Sequence, residues 1–443
     1  MHFVNIERKS MRKELNQFAV PLVMKNSFQL VIEFGLAVMT GHISLAAIAV
    51  TGTIDGLVYT IIGFLGSGTI SYTIYASRIR EKDSREAREL FKSLLLLNSL
   101  LGVSGTVLLL AFAEVLMSRL YQYDGALLRL ACSYCRVSSW NVVLTVIGFA
   151  LTNQLKVRKQ TKGILHAGLF SGVCQLILTL LFAELVFTGE SRVLGIALAS
   201  MLSECLVVGY YVWLLRKDFL SLKGISASRW TFLLRKSSLL FLQELLEGSL
   251  FQVLITAALA RMGNLIFSAY QVCLTLTNLF LSPMFMYCNG LLVLLGEKIG
   301  LGEIKRIRSL PIVTLQILLT IFVGLAAPAW LLRQQLLQLI TDIPEVSQLA
   351  VGIFGSVILV ESTRLFYEIA KYSLQSTGAE GQALAITSLS NGAAWLFIML
   401  LPNQFSVILF IVSASNLFSA AAFYHHYLKR CKSITTCSRI LKD

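Results

Sequence analysis

From Arg308 to Arg333 the chain reads RSLPIVTLQILLTIFVGLAAPAWLLR, with no charged residue between the two arginines. A helix needs roughly 20 mostly apolar residues to cross the hydrocarbon core of a bilayer. Backbone in that core must also satisfy its own hydrogen bonds, which a helix does. The stretch therefore predicts one membrane-spanning helix. Working outward and cutting at the polar breaks gives twelve such segments, at 14–40, 45–76, 90–118, 126–155, 163–188, 192–215, 230–261, 265–296, 308–341, 346–376, 380–401 and 404–428. Several exceed the minimum length, which implies tilt or projection beyond the lipid. The predicted fold class is an all-α membrane protein of twelve transmembrane helices.

Composition agrees. Of 443 residues, 56% are hydrophobic and 14% charged, whereas a soluble domain carries about a quarter charged residues. That excludes a soluble catalytic domain, and six prolines exclude a disordered linker array. Arg8, Lys9, Arg12 and Lys13 precede the first apolar run as in a signal peptide, but the run contains Lys25 and Glu33 and lacks a cleavage site, so it reads as a retained span. Cys132, Cys135, Cys174, Cys205, Cys273 and Cys288 lie inside apolar segments as small hydrophobes. Cys132 and Cys135 have CxxC spacing without a second pair or a histidine, so no metal site is expected.

The formal charge of +14 follows topology. The N-terminus, the second, fourth, sixth and eighth loops with their helix ends, and the C-terminal tail hold 29 of the 38 lysines and arginines; the opposite loops hold five, Arg119, Arg129, Arg192, Arg261 and Arg333. By the positive-inside rule both termini are cytoplasmic, in the plasma (inner) membrane. Contact with anionic lipid, not nucleic acid, accounts for the excess.

Shifting the chain by 222 residues aligns MTGHISLAAIAV (39–50) with ARMGNLIFSAYQV (260–272), matching Gly41 to Gly263, Ala47 to Ala269 and Val50 to Val272, and sets Glu81 against Glu303. Twelve spans then divide into two six-helix halves of one orientation, related by a pseudo-two-fold axis along the membrane normal, an arrangement of transporters. The expected organisation is a cytoplasmic N-terminus (1–13), an N-terminal half (14–215), a cytoplasmic linker (216–229), a C-terminal half (230–428) and a basic cytoplasmic tail (429–443).

In order and spacing, several short motifs resemble the multidrug and toxic compound extrusion (MATE) family from about Leu15 to Tyr427. They are Pro21 and Asn26, Gly41-His42, Leu45-Ala46-Ala47, and a charged loop followed by Ala87-Arg88; then Leu242-Gln243-Glu244-Leu245-Leu246-Glu247-Gly248-Ser249-Leu250-Phe251 and Ala269-Tyr270-Gln271. Leu155-Lys156 with Thr161, and Leu374-Gln375 with Gly378, match a further family pattern in part. The resemblance implies export of a solute against sodium or proton entry through membrane carboxylates. It assigns one carboxylate to Glu247. A first-helix aspartate of the family falls on Leu36, with Glu33 one turn earlier, and a tenth-helix acid falls near Arg364, between Glu361 and Glu368.

Charge cost alone selects the same places. A charge within an apolar span costs roughly 2.5–3.5 kcal/mol on insertion scales and marks a pathway or an interior contact. Glu361, Arg364, Glu368 and Lys371 share one face of the tenth helix, either as mutually neutralising ion pairs or as a face lining a cavity. Lys25, Asn26, Gln29 and Glu33 form a polar stripe on the first helix. On the seventh, Glu244 and Glu247 lie one turn apart, too close for both to ionise cheaply unless a proton or cation joins them. The candidate ion-coupling residues are thus Glu247, Glu244 and Glu33, and the candidate cavity residues Glu361, Arg364, Glu368, Lys25, Asn26 and Gln29. Asp55, Arg136 and Glu204 read as bundle contacts. No GxxxxGK[ST] loop and no GxSxG motif occurs, so neither an ATP-driven pump nor an enzyme is expected, and no cofactor beyond a sodium ion or proton. The expected activity is efflux of a small cationic or amphipathic solute by a functional monomer in the lipid bilayer. The alternatives are a flippase for a lipid-linked saccharide or anionic lipid, for which the basic Lys25, Arg136, Arg364 and Lys371 argue, and a non-transporting scaffold or receptor.

Overall fold

The computed structural model describes residues 2–79, 84–220, 227–341, 343–401 and 404–440. Every regular element among them is helical. Twelve helices are long and apolar enough to cross a membrane: Glu7–Gly41, Ala46–Arg78, Arg85–Leu120, Gly125–Val157, Thr161–Leu181, Gly189–Leu214, Arg229–Leu259, Leu265–Leu301, Lys305–Leu331, Pro344–Ser376, Glu380–Leu400 and Phe405–Ser433. They are called the first to twelfth helices below. Glu81, Lys223 and Asp342 lie outside the described residues.

The helices match the twelve predicted segments, with local differences that have identifiable causes. The ninth stops at Leu331, not 341, and a separate short helix, Arg333–Gln338, follows. There Arg333 turns back, donating from Nη1 to the Trp330 carbonyl at 2.9 Å with its guanidinium 4.8 Å from the Trp330 ring, and so adds a side-chain donor to the helix's last turn. The terminal basic segments do not end the helical structure either. Described helix already runs from His2 and continues to Ile440, because polarity alone does not break a helix.

The described chain forms two compact units. One comprises Val20–Ala76 and Glu81–Phe241. Its core is built by the second, third, fourth and sixth helices from residues such as Ile54, Leu109, Met117, Val142 and Val193, and both Cys132 and Cys135 pack into it. The fifth helix carries Gly168-x-x-x-Gly172, and the first helix lies directly on it. A Cβ at Gly168 would meet Lys25 Cγ at 2.5 Å, and one at Gly172 would meet Ile32 Cδ1 at 2.1 Å. Small residues at that spacing let two membrane helices approach closely where lipid gives no hydrophobic drive for association.

The other unit comprises Met1–Ala19, Ser77–Arg80 and Leu242–Asp443. These bounds differ from the halves of the sequence repeat: the first helix contributes to both units, changing membership next to Pro21. Proline removes one backbone hydrogen bond there and loosens the helix. Within this unit the first helix is tied by Asn16 Oδ1, which accepts from the Tyr287 hydroxyl at 2.9 Å. The tenth helix packs along the eighth and twelfth, burying Phe354 and Phe423.

The tightest backbone approach in this unit is Gly300 against Arg78, where a Cβ would stand 2.1 Å from the Arg78 carbonyl oxygen. Gly300→Ala should therefore lower stability by about 1–3 kcal/mol, the range for overpacking. Gly172→Ala should cost less, since its obstructing atoms belong to side-chain ends that can turn. Thermal unfolding midpoints of the two variants in detergent check the order.

Candidate functional site

The seventh helix is α-helical up to Glu244 and then loosens into a π-helical turn, Leu245–Phe251, which contains Glu247. Gly248 and Ser249 are poor helix formers and permit that widening. A π-turn rotates the side chains that follow relative to an unbroken α-helix, and such turns are frequent at functional sites. Gly248 also leaves room for Glu244, whose Oε1 would stand 2.6 Å from a Cβ at that position.

The tenth helix is continuous from Pro344 to Ser376 and presents Glu361, Arg364, Glu368 and Lys371 on one face, as helical periodicity requires. Lys371 Nζ lies 2.6 Å from Glu247 Oε1 and 2.8 Å from Glu368 Oε2. Its ammonium also lies 5.0 Å from the Tyr367 ring and 5.7 Å from that of Tyr372. Lys371 and Glu368 are both buried. Arg364 is held more loosely, at 3.8 Å from Glu361 and 4.0 Å from Glu368, with its guanidinium 5.7 Å from the Phe285 ring and 40% of its side chain accessible. Ion pairing alone thus leaves the ladder unevenly satisfied. Lysine takes the short contacts and arginine the long ones.

Beside this cluster lies an uncharged polar chain that a search for charges does not find. Gln375 Nε2 donates to Gln243 Oε1 at 3.0 Å, and Gln243 Nε2 donates to Thr387 Oγ1 at 3.1 Å. All three residues are buried and join the seventh, tenth and eleventh helices. Gln243 and Gln375 each belong to a quoted family motif, and that was their visible signal.

Lys25, Asn26, Gln29 and Glu33 fall in the other unit. Gln29 Nε2 donates to Glu33 Oε1 at 3.3 Å, and Glu33 is exposed. Lys25, its stem laid over Gly168, interacts electrostatically with Glu204, which Thr145 also hydrogen-bonds. Asp55 accepts from the Tyr134 hydroxyl at 3.0 and 3.1 Å to its two oxygens, a contact between the second and fourth helices. Glu247, Glu244, Glu361, Arg364 and Glu368 therefore share one unit, and Glu33, Lys25, Asn26 and Gln29 the other.

Removing Arg364 leaves Glu361 without the cation nearest it. Arg364→Ala should accordingly impair stability and activity more than Arg364→Ala combined with Glu361→Gln. Because the guanidinium is 40% accessible, the coupling is expected near the low end of the roughly 0.5–3 kcal/mol found within one network. A double-mutant cycle on the thermal midpoint reads it, and strict additivity would show that the two side chains do not interact.

Comparison with known proteins converges on one family. The MatE family model matches residues 20–181 and again 240–400, two stretches whose starts lie 220 residues apart, close to the repeat read from sequence. No curated protein matches the chain. Among solved structures, the Vibrio cholerae MATE transporter VcmN in its bent form is similar, with a TM-score of 0.85 at 18% identity over 97% of this chain and 99% of that one. A MATE structure in the straight conformation gives 0.84 at 16% identity, covering 96% and 97%. A MOP-superfamily transporter from Pyrococcus furiosus, noted for the reverse polarity of its binding pocket, gives 0.83 at 16% identity, covering 96% of each chain.

Proposed function

The chain belongs to the MatE family of membrane transporters, and we propose that it is a secondary active efflux carrier, exporting a small cationic or amphipathic organic solute by alternating access in exchange for protons or sodium ions. The observation that supports this reading is the charge balance of the cluster on the seventh and tenth helices. Glu244, Glu247, Glu361 and Glu368 are set against only Arg364 and Lys371, so a full set of ionised carboxylates carries more negative charge than its own bases neutralise. A membrane site with surplus carboxylate favours a cation or a proton. Of the two coupling ions the proton fits more simply. Lys371 already occupies the space between Glu247 and Glu368, and a proton arriving on Glu247 cancels one of its ion pairs without requiring room for a second cation. Release of that contact is the step we assign to coupling.

A second reading has its own support. The loosely held, partly accessible Arg364 could receive an anionic head group, as in a flippase, and the similar Pyrococcus furiosus transporter has a pocket of reverse polarity. Proteoliposomes separate the two. Uptake of ethidium driven by an acid lumen and abolished by a proton ionophore supports the efflux carrier. Uptake under a sodium gradient alone transfers the coupling to sodium, and transbilayer movement of a fluorescent anionic lipid without ethidium uptake selects the flippase.

In this reading both termini face the cytoplasm of the plasma membrane. In a cysteine-free background on intact cells, a membrane-impermeant thiol reagent should label Glu190→Cys but not Arg85→Cys. The reverse pattern would invert the topology.

A further inference from the structure

We infer that the unit formed by Val20–Ala76 and Glu81–Phe241 carries a phosphate-binding site at its basic end, separate from the charged helix faces described above and independent of what the protein transports. A cavity of about 500 Å³ opens there, lined among the described residues by Arg88, Arg158, Gln160, Lys217 and Asp218, with Leu214 and Leu215 forming its apolar side. Every one of these residues stands at or just beyond the end of a membrane helix: the start of the third, the junction of the fourth and fifth, and the end of the sixth. The cavity thus lies where the bilayer's polar surface meets water.

Its polar wall is constructed from within. Asp218, 6% exposed, is ion-paired with Arg158 and accepts from Gln154 Nε2 at 3.3 Å, and Gln154 in turn accepts from the buried Tyr72 hydroxyl. The one carboxylate among the described lining residues is therefore engaged by Arg158, and that pair fixes the guanidinium. Arg88 and Lys217 bring two further positive charges to the same cavity. The turn that delivers Gln160 is also specific. Gln160 N bonds the Leu155 carbonyl at 2.8 Å and Lys159 N the Lys156 carbonyl at 2.9 Å, with Lys159 at φ 58°, a left-handed helix cap held here by a non-glycine residue.

Among the described lining residues, three cations against one engaged carboxylate leave net positive charge, and an anion is its complement. The volume exceeds what a bare ion fills and falls in the range of organic-ligand pockets. Next to it Arg216 lies 5.0 Å from the ring of the exposed Trp213, a pairing suited to the head-group layer. A phosphate ester is the anion most abundant at that depth, and basic pockets between membrane helices on the cytoplasmic side suit phospholipid head groups. The ligand chemistry is a phosphate group, from either an anionic phospholipid or a soluble phosphate.

The test uses the full-length protein in nanodiscs of phosphatidylcholine, with or without phosphatidylglycerol, and separately with inorganic phosphate added. Binding is read by native mass spectrometry and by the shift in thermal midpoint. Arg88→Gln with Lys217→Gln removes two cavity charges without touching the Arg158–Asp218 pair. Arg8→Gln with Lys9→Gln removes the same net charge elsewhere. Each basic residue near an anionic surface contributes roughly fivefold in affinity, so the cavity variant should bind at least tenfold more weakly than wild type. The Arg8/Lys9 variant should bind as wild type does. Retention of phosphatidylglycerol alone identifies the lipid source, and binding of inorganic phosphate alone the soluble one. Equal loss in both variants, or no binding by wild type in either arm, overturns the site. A shared midpoint in plain phosphatidylcholine verifies that both variants are folded.

Discussion

Glu247→Gln is expected to abolish gradient-driven transport while the protein still inserts and folds. Glu247 Oε1 is 2.6 Å from Lys371 Nζ, and the amide that replaces it keeps an oxygen able to accept from the same ammonium. The structural loss is one charge-assisted hydrogen bond, about 1.5–3 kcal/mol, and Glu368 still neutralises the lysine at 2.8 Å. An amide, however, has no proton to take up and release at the point where, in our reading, the ion pair must open and close. Uptake of ethidium by proteoliposomes under an acid lumen should fall to the level of protein-free vesicles, with the abundance and elution volume of the variant unchanged. Wild-type uptake by a correctly inserted variant would remove Glu247 from the coupling step.

The spans were legible because the bilayer sets a length and forbids unpaired backbone, so apolar length translates into helix with little competition from tertiary context. The boundary that was misread, at the end of the ninth helix, depends on a side chain. Arg333 folds back on Trp330, and hydropathy does not register a cation that caps the helix it follows. Helix running through the terminal basic residues, from His2 and as far as Ile440, was illegible for a related reason, since polarity identifies where lipid stops and not where helix stops.

Within the candidate site, the shared face of Glu361, Arg364, Glu368 and Lys371 follows from a 3.6-residue period and was readable. Which acid on the seventh helix meets the ladder was not. An α-helical reading puts Glu244 and Glu247 on one side alike, whereas the π-turn Leu245–Phe251 re-phases the helix between them, and Lys371 pairs with Glu247. Lys371, absent from the candidate cavity residues read from sequence, is the residue with the shortest ion pairs in the cluster. Gly168-x-x-x-Gly172 is similar in kind. Its spacing announces close packing, but only the fold reveals that Lys25 and Ile32 are what it receives.

Lys371→Ala should therefore be the most damaging single change in the cluster, exceeding Arg364→Ala in its cost to stability. The ammonium is buried and holds two carboxylates that have no comparably close cation among the described residues: Glu247 pairs with Lys371 alone, and Glu368 otherwise meets Arg364 at 4.0 Å. Removing one partner of a buried ion pair leaves uncompensated charge and costs about 3–5 kcal/mol. Arg364 is partly accessible and its contacts are long, so water compensates much of its loss. Two consequences follow from the geometry. The defect of Lys371→Ala should ease in acid, where a proton on Glu247 replaces the missing positive charge. It should also be partly repaired by Glu247→Gln in the same chain, because the double variant buries one carboxylate fewer. Thermal midpoints of wild type, both single variants and the double variant, each measured across an acid-to-neutral series, test all of this. If Lys371→Ala is no less stable than Arg364→Ala, or if its loss is independent of pH and simply adds to that of Glu247→Gln, the ammonium is not what holds the two carboxylates together.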